Sequence, residues 1–420
     1  MFSLILFLFC WSSLALSQIP LKPPQSNSLK MLIEVTRHGA RSPLYDNFTT
    51  SVWNVPPGDL TSVGQRQHYL LGREMKRRYM NDKEYLNRSY SEDEVKVYST
   101  DCIRTMQSAQ SQLLGLYYEE GRLFNESKMI QKYVVPPINV ENWEDIIFDL
   151  KTFSLPLRFQ PVPVKALPDK YNKILQPGVV CPKVNQIIKE NQETEYYRNF
   201  EIKLHEMGFY QKFSEIFNVD ASKFTIEETQ QYLDIITMNK YDNRELPIGY
   251  TDEFDDMMNF AYCFRQVYLS VGNDTVLPFY VSNFFQNVLE KFEEKINVEN
   301  SKLKLEFFSA HDNNLIYILR ALGLTNYTDD YQEFLEPTKY FSYRNPPLAS
   351  LLLFELHEVE GMHFVRVIFN DQVMEIDGCQ KYCPYSQFKR LAEKLILNNY
   401  DRECQTQKEG KINDVFLGKP

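Results

Sequence analysis

Apolar residues recur along this chain with two different periods, and the alternation between them predicts its architecture. Residues 30–36 form a short, mostly apolar run of strand length, and residues 61–79 then place apolar positions at helical spacing. A strand-like run at 95–99 and a helix-like run at 104–118 repeat the pattern. Such alternation indicates an α/β unit with a partly parallel sheet. From about 134 to 272 the strand-like runs thin out, and Glu-, Lys- and Tyr-rich segments with helical spacing dominate, as at 187–213 and 226–237. The α/β pattern resumes with a long helix over 277–296, a strand over 302–308, a helix over 315–322, strands at 351–356 and 364–369, and a closing helix over 385–397. The expectation is an α/β fold with a mixed, largely parallel central sheet flanked by helices. Residues 18–133 and 273–420 would form this core, and 134–272 an inserted, mostly helical subdomain.

The first seventeen residues stand apart from this pattern. Residues 2–9 are apolar except for Ser3, and the segment closes on Ala15-Leu16-Ser17, small residues of the kind a signal peptidase reads. Residues 1–17 therefore read as a signal peptide, although no Lys or Arg precedes the apolar run. An uncleaved anchor would need about 20 apolar residues, and no comparable stretch follows. The expectation is a secretory-pathway protein, extracellular or lysosomal, with no transmembrane anchor after cleavage. Five sequons fit that route, at Asn47, Asn87, Asn125, Asn273 and Asn326. Of seven cysteines, Cys10 leaves with the signal and six enter an oxidising compartment. Cys379 and Cys383 are close enough to shut a small loop. The cysteines are dispersed and no two-Cys, two-His spacing occurs, which disfavours zinc.

A formal charge of −10 argues against general nucleic-acid or anionic-membrane binding, which needs a basic surface. It does not exclude an anionic substrate, because a few clustered arginines can reverse the potential inside one cleft. Such a cluster follows the first predicted strand as Arg37-His38-Gly39-Ala40-Arg41-Ser42-Pro43. Guanidinium groups match phosphate oxygens in a bidentate way, and an imidazole can attack phosphorus and leave again. An Arg-rich turn after a strand is often only a solvated loop; the fixed offsets of Arg41 and Pro43 favour chemistry. Arg37-His38, Arg104 and His311-Asp312 each follow a predicted strand by a few residues. Open α/β sheets bind ligands beyond the carboxyl ends of their strands, so the three segments are expected to converge on one crevice. Arg104 falls in the first turn of a predicted helix, where the macrodipole disfavours a cation unless an anion sits beside it.

These residues lie in a longer series: Leu60-Thr61, Gly64, Gln67 and Leu71-Gly72; Ser99-Thr100-Asp101, Arg104-Thr105 and Ser108-Ala109; Pro161-Val162-Pro163-Val164; Ser309-Ala310-His311-Asp312; and Cys379 with Cys383-Pro384. In order and approximate spacing the series resembles the histidine acid phosphatases, the branch of the histidine phosphatase superfamily that includes prostatic and lysosomal acid phosphatases and, more remotely, phytases. The resemblance implies a metal-independent phosphomonoesterase needing no cofactor. His38 would be the nucleophile that forms a phosphohistidine, and Arg37, Arg41, Arg104 and His311 would hold the phosphoryl oxygens. Asp312 would be the general acid, with an acidic optimum following from an ordinary carboxyl pKa of about 3.9; plain N-capping is its bland alternative. His68, His205, His357 and His363 match no catalytic position.

By the same resemblance Cys181 should pair with Cys404. Cys263 matches a family cysteine whose usual partner would lie near residues 349–351, where none occurs, and Cys102 is atypical. These two either pair with each other or stay free. Asn313-Asn314 stands where many acid phosphatases carry two threonines, on the leaving-group side, which leaves the preferred substrate open. Small phosphate monoesters are the expected substrates, with phosphoproteins as a further class and a homodimer as the assembly the family suggests. A phytase or lipid-phosphate phosphatase of the same superfamily and a catalytically silent phosphate-binding glycoprotein are the competing readings.

Overall fold

Strand β1 (Leu29–Arg37) buries every residue except half-covered Lys30, as a strand does when helices cover both sheet faces. The computed structural model describes residues 28–45, 52–123, 134–220, 222, 224–272, 274–337 and 343–405. The expected signal peptide and the sequons at Asn47, Asn125 and Asn273 lie outside them. Seven further strands complete the sheet: β2 (Val95–Thr100), β3 (Lys165–Leu167), β4 (Leu305–Ala310), β5 (Leu351–Val359), β6 (Met362–Phe369), β7 (Gln372–Met374) and β8 (Cys383–Pro384). Their order is β3-β2-β4-β1-β5-β6-β7, with β8 paired to β6. The half from β3 to β1 is parallel, whereas β5 runs antiparallel to β1 and β6 antiparallel to β5. Strands β5 and β6 are joined by a hairpin whose turn residues Glu360 and Gly361 both have positive φ, 53° and 75°, a two-residue turn that matches the strand twist.

Alternate side chains of the strands feed two cores. Met31, Ile33 and Val35 of β1 and Leu352, Phe354 and Leu356 of β5 join one cluster with α10 (Leu277–Asn297), α11 (Asp312–Ala321) and α13 (Tyr385–Glu393). Leu32 and Leu353 face the other, with α1 (Ser62–Met75) and α2 (Ile103–Leu116). Strand β4 begins three residues later than the apolar run suggests and ends two later, its pairing continuing through Ser309 and Ala310; a small serine can be buried where its hydroxyl is satisfied by Thr105 O at 2.8 Å. Helix α13 ends at Glu393, four residues short of expectation, where the chain turns and Leu397 N donates to Ser282 Oγ at 2.9 Å.

Residues 134–272 contribute short α3 (Trp143–Leu150) and α4 (Pro177–Val180), then α5 (Pro182–Gln192), α6 (Glu195–Glu206), α7 (Phe209–Phe217), α8 (Ile226–Tyr241) and α9 (Asp252–Val271). The helical pattern at 187–213 thus divides into three helices. Thr194 caps α6 through Tyr197 N, and Gly208 at φ 72° reverses the chain before α7. Helices α6 to α9 close around their own aromatic cluster, which includes Phe200, Phe209, Phe213, Phe254 and Phe260. The segment also supplies β3, an edge strand of the main sheet. After α12 (Tyr331–Leu335), the chain reaches α14 (Tyr400–Glu403).

Disulfides join Cys181 to Cys404 and Cys379 to Cys383, while Cys102 and Cys263 are free thiols. Asn87 is exposed, with its amide bonded to Glu94, and Asn326 is half-buried. Among the described residues no helix is long and apolar enough to cross a membrane.

Candidate active site

The neighbouring parallel strands β2, β4 and β1 end side by side, and their carboxyl ends carry Arg104, His311-Asp312 and Arg37-His38 respectively. Arg37 sits opposite Ala310 in the β1–β4 register, and His38 N donates to Ala310 O at 2.9 Å. That pairing brings the His38 and His311 rings to 5.4 Å between centroids. The loop after β1 is fixed from beneath: Gly39 N donates to Ser108 Oγ at 3.1 Å and Ala40 N to Gln67 Oε1 at 2.8 Å. A Cβ on Gly39 would lie 2.6 Å from Gly64 O, so only glycine lets the loop lie this close to α1.

His38 is buried, with Nδ1 2.9 Å from Gly39 O. A carbonyl only accepts, so Nδ1 carries the ring proton and Nε2 keeps its lone pair. Arg37 and Arg41 are also buried. Arg37 pairs through Nη2 with Asp312 Oδ2 at 2.9 Å and donates from Nη1 to Pro346 O. Arg41 pairs with Asp234 of α8, and Arg104 Nη2 lies 3.5 Å from His311 Nδ1. In all three arginines the buried Nε finds no acceptor among the described residues. Buried donors are normally satisfied, and this set suits the oxygens of a bound anion. His311 Nε2 meets Thr100 Oγ1 at 3.0 Å. His311 caps α11, which places Asp312 in its first turn instead of at the cap.

Burial, then the charges of Arg104, His311 and the two motif arginines, push His38 well below the ordinary histidine range. Burial and Arg104 likewise bring His311 down to about 3. Both imidazoles are therefore neutral in mild acid, and His38 Nε2 is available for attack. Asp312 behaves against the expectation of a ready-made acid. Burial would raise its carboxyl, but Arg37 and the amide of Asn345, which donates to Oδ2 at 3.2 Å, hold it at about 2. In the free protein it is a carboxylate at pH 5.

The catalytic and phosphate-binding residues named from the sequence, His38, Asp312, Arg37, Arg41, Arg104 and His311, thus lie together, and three neighbours escaped that reading. Asp234 and Asn345 lie far away in the chain, and nothing in their local sequence marks them. His68 is buried, its Nε2 3.1 Å from Arg37 O and its Nδ1 3.1 Å from the Gln112 amide, so it steadies the motif's backbone. Among the described residues no group of three or more His, Cys, Asp or Glu is placed to hold a metal ion.

A mixed α/β sheet whose parallel strand ends gather a buried imidazole and three guanidinium groups defines a histidine phosphatase. The chain belongs to the histidine phosphatase superfamily, branch 2, whose family pattern matches residues 28–370. It is 27% identical over 422 residues to a lysosomal acid phosphatase of Xenopus laevis, covering 96% of this chain and 85% of the relative. It is 26% identical over 414 residues to a prostatic acid phosphatase of Bos taurus, covering 93% and 92%. Among solved structures, the apo form of a Hafnia alvei phytase superposes with a TM-score of 0.62 over 92% of this chain and 100% of that one, at 14% identity. That last likeness speaks for the fold.

Proposed function

We propose that this chain is an acid phosphatase of the secretory pathway, extracellular or lysosomal, that hydrolyses phosphate monoesters through a phosphohistidine on His38. One observation carries the reading: His38 presents an unprotonated Nε2 beside three arginines, each with a buried, spare Nε–H. The phosphoryl group settles among Arg37, Arg41, Arg104 and His311. Nε2 attacks phosphorus in line, the N–P bond forms as the ester P–O bond breaks, and the leaving oxygen takes a proton from Asp312. Water then attacks phosphorus, Asp312 accepts its proton, and His38 leaves with the original lone pair.

The state of Asp312 in the free protein bears on where that proton originates. A phosphate monoester has a second pKa of about 6, so at pH 5 most substrate arrives as the monoanion with one proton of its own. As its oxygens draw Arg37 away from Asp312, the carboxyl loses the charge that holds its pKa down and can take up that proton. The acidic preference then belongs to the complex. The catalytically silent reading is less well supported, since His38, Arg37, Arg41, Arg104, His311 and Asp312 are all present and assembled.

Phosphoproteins as further substrates and a homodimer belong to the proposal on family resemblance alone. Glycans at the five sequons, a signal cleaved after Ser17, and the division into a core of 18–133 and 273–420 with 134–272 inserted belong to the proposal on the sequence pattern; the separate aromatic cluster of α6 to α9 supports that division. Acid-quench trapping of labelled phosphoenzyme at about pH 5, near the carboxyl range, tests the chemistry. Label is expected on wild type, absent from His38→Ala, and slow to form on Asp312→Ala with a poor leaving group. Label that survives in His38→Ala would refute the assignment.

A further inference from the structure

Two of the charges in the crevice are negative, and the chemistry above uses only one of them. Asp312 neutralises Arg37 at 2.9 Å. The other is Asp234, from the middle of α8 in the inserted segment. It grips Arg41 with both oxygens, Oδ1 on Nη2 at 2.5 Å and Oδ2 on Nη1 at 3.3 Å, and Oδ2 also accepts from Leu44 N at 2.8 Å. The pair is largely shielded from water, with side-chain exposures of 8% for Arg41 and 12% for Asp234. Arg104 makes no ion pair with a carboxylate among the described residues, although it feels the fields of both Asp312 and Asp234.

The guanidinium has two forks. Asp234 takes the end formed by Nη1 and Nη2, and the side formed by Nε and Nη2 is left, with Nε lacking an acceptor. Arg41 can therefore hold a phosphoryl oxygen and Asp234 at once, through different hydrogens of Nη2. The two anions would then stand about 5 Å apart, two hydrogen bonds meeting at one nitrogen. With both imidazoles neutral, three guanidiniums and two carboxylates leave the crevice a single net positive charge.

We propose that Asp234 is a specificity-determining counter-charge: by neutralising Arg41 it matches the crevice to a single phosphate monoester group, hastens release of inorganic phosphate, and disfavours polyphosphorylated substrates. This rests on the reading of Arg41 as a phosphate ligand. A carboxylate that only held Arg41 in place would have the opposite effect on affinity when removed, since a released guanidinium binds worse. The counter-charge lowers affinity by about two- to three-hundredfold at that separation, from Coulomb's law at an effective interior dielectric of about 20.

The experiment is calorimetric titration of inorganic phosphate into the full chain at pH 5, as wild type, Asp234→Asn and Asp234→Glu. Asn keeps an acceptor for Leu44 N but loses the charge, and Glu keeps the charge. Asp234→Asn is expected to bind phosphate about two- to three-hundredfold more tightly, with a lower KM for p-nitrophenyl phosphate, while Asp234→Glu stays near wild type. Unchanged or weaker binding in folded Asp234→Asn overturns the proposal, as does equal tightening in Asp234→Glu. Wild type supplies a second reading that needs no variant: myo-inositol hexakisphosphate should bind within about tenfold of inorganic phosphate, and a preference above about a hundredfold overturns the counter-charge. Titration reads binding without turnover, so failure of the phosphohistidine chemistry would appear in the trapping experiment and leave this result standing.

Discussion

Glu34 shows how far one buried side chain can shape this protein's response to pH. It lies within β1, 1% exposed, with its carboxyl against the Gln112 amide, and burial raises its pKa from 4.5 to about 8. Gln112 in turn meets His68, and His68 meets the carbonyl of Arg37. The folded pKa lies above the unfolded one, so this group's contribution is complete below pH 4.5 and is lost as pH rises through about 8. Across that window the unfolded chain releases a proton that the folded chain retains, worth up to roughly 4–5 kcal/mol. Glu34→Gln keeps a neutral side chain of the same shape. Wild type should lose stability between pH 5 and pH 8 more steeply than Glu34→Gln in urea denaturation. Parallel pH curves for the two proteins would show that Glu34 is ionised in the fold.

Among the elements, α1 and α2 carry the support beneath the catalytic loop, and two glycines set their separation. A Cβ on Gly72 would stand 1.9 Å from Gln112 O, and one on Gly115 would stand 2.2 Å from Tyr69 O. Gly72→Ala must therefore push α2 away, at about 1–3 kcal/mol for overpacking, and Ser108 and Gln112 would move with it. Gly208 offers the control, since at φ 72° it meets nothing within 4 Å. Gly208→Ala should cost only the left-handed backbone strain of about 1 kcal/mol and leave turnover intact. Equal loss of activity in the two variants would contradict the support assigned to α2. The same elements show what the sequence could reveal. His38, Arg104 and His311 were legible because each follows a strand in the chain, and parallel strands must end together. The helical period of 187–213 was legible too, but not its division, which depends on Thr194 and Gly208. Asp234 and Asn345 were not legible, because periodicity marks Asp234 only as a polar position on α8. Asn345 reaches Asp312 from a loop whose course is decided by tertiary packing around Arg37.

At the scale of the whole molecule, the two disulfides should differ in weight because they close loops of very different length. Cys181–Cys404 spans 223 residues and ties the start of α5 to the end of α14, and both sulfurs sit in the cluster that covers β1 and β5. Cys379–Cys383 spans 4 residues. If a cross-link acts mainly by restricting the unfolded chain, the long loop is worth about 5 kcal/mol and the short one about 2 kcal/mol. Cys181 is completely buried, so its removal also leaves a packing defect that enlarges the difference. The double variant Cys181→Ser/Cys404→Ser should therefore lose at least twice the unfolding free energy lost by Cys379→Ser/Cys383→Ser in urea at pH 6. Because the long cross-link joins the inserted segment to the chain's last described helix, its loss should also separate the unfolding of the aromatic cluster of α6 to α9 from that of the sheet. A single cooperative transition with equal losses in both variants would mean that packing around β1 already holds the two parts together, and that the cross-link adds little beyond it.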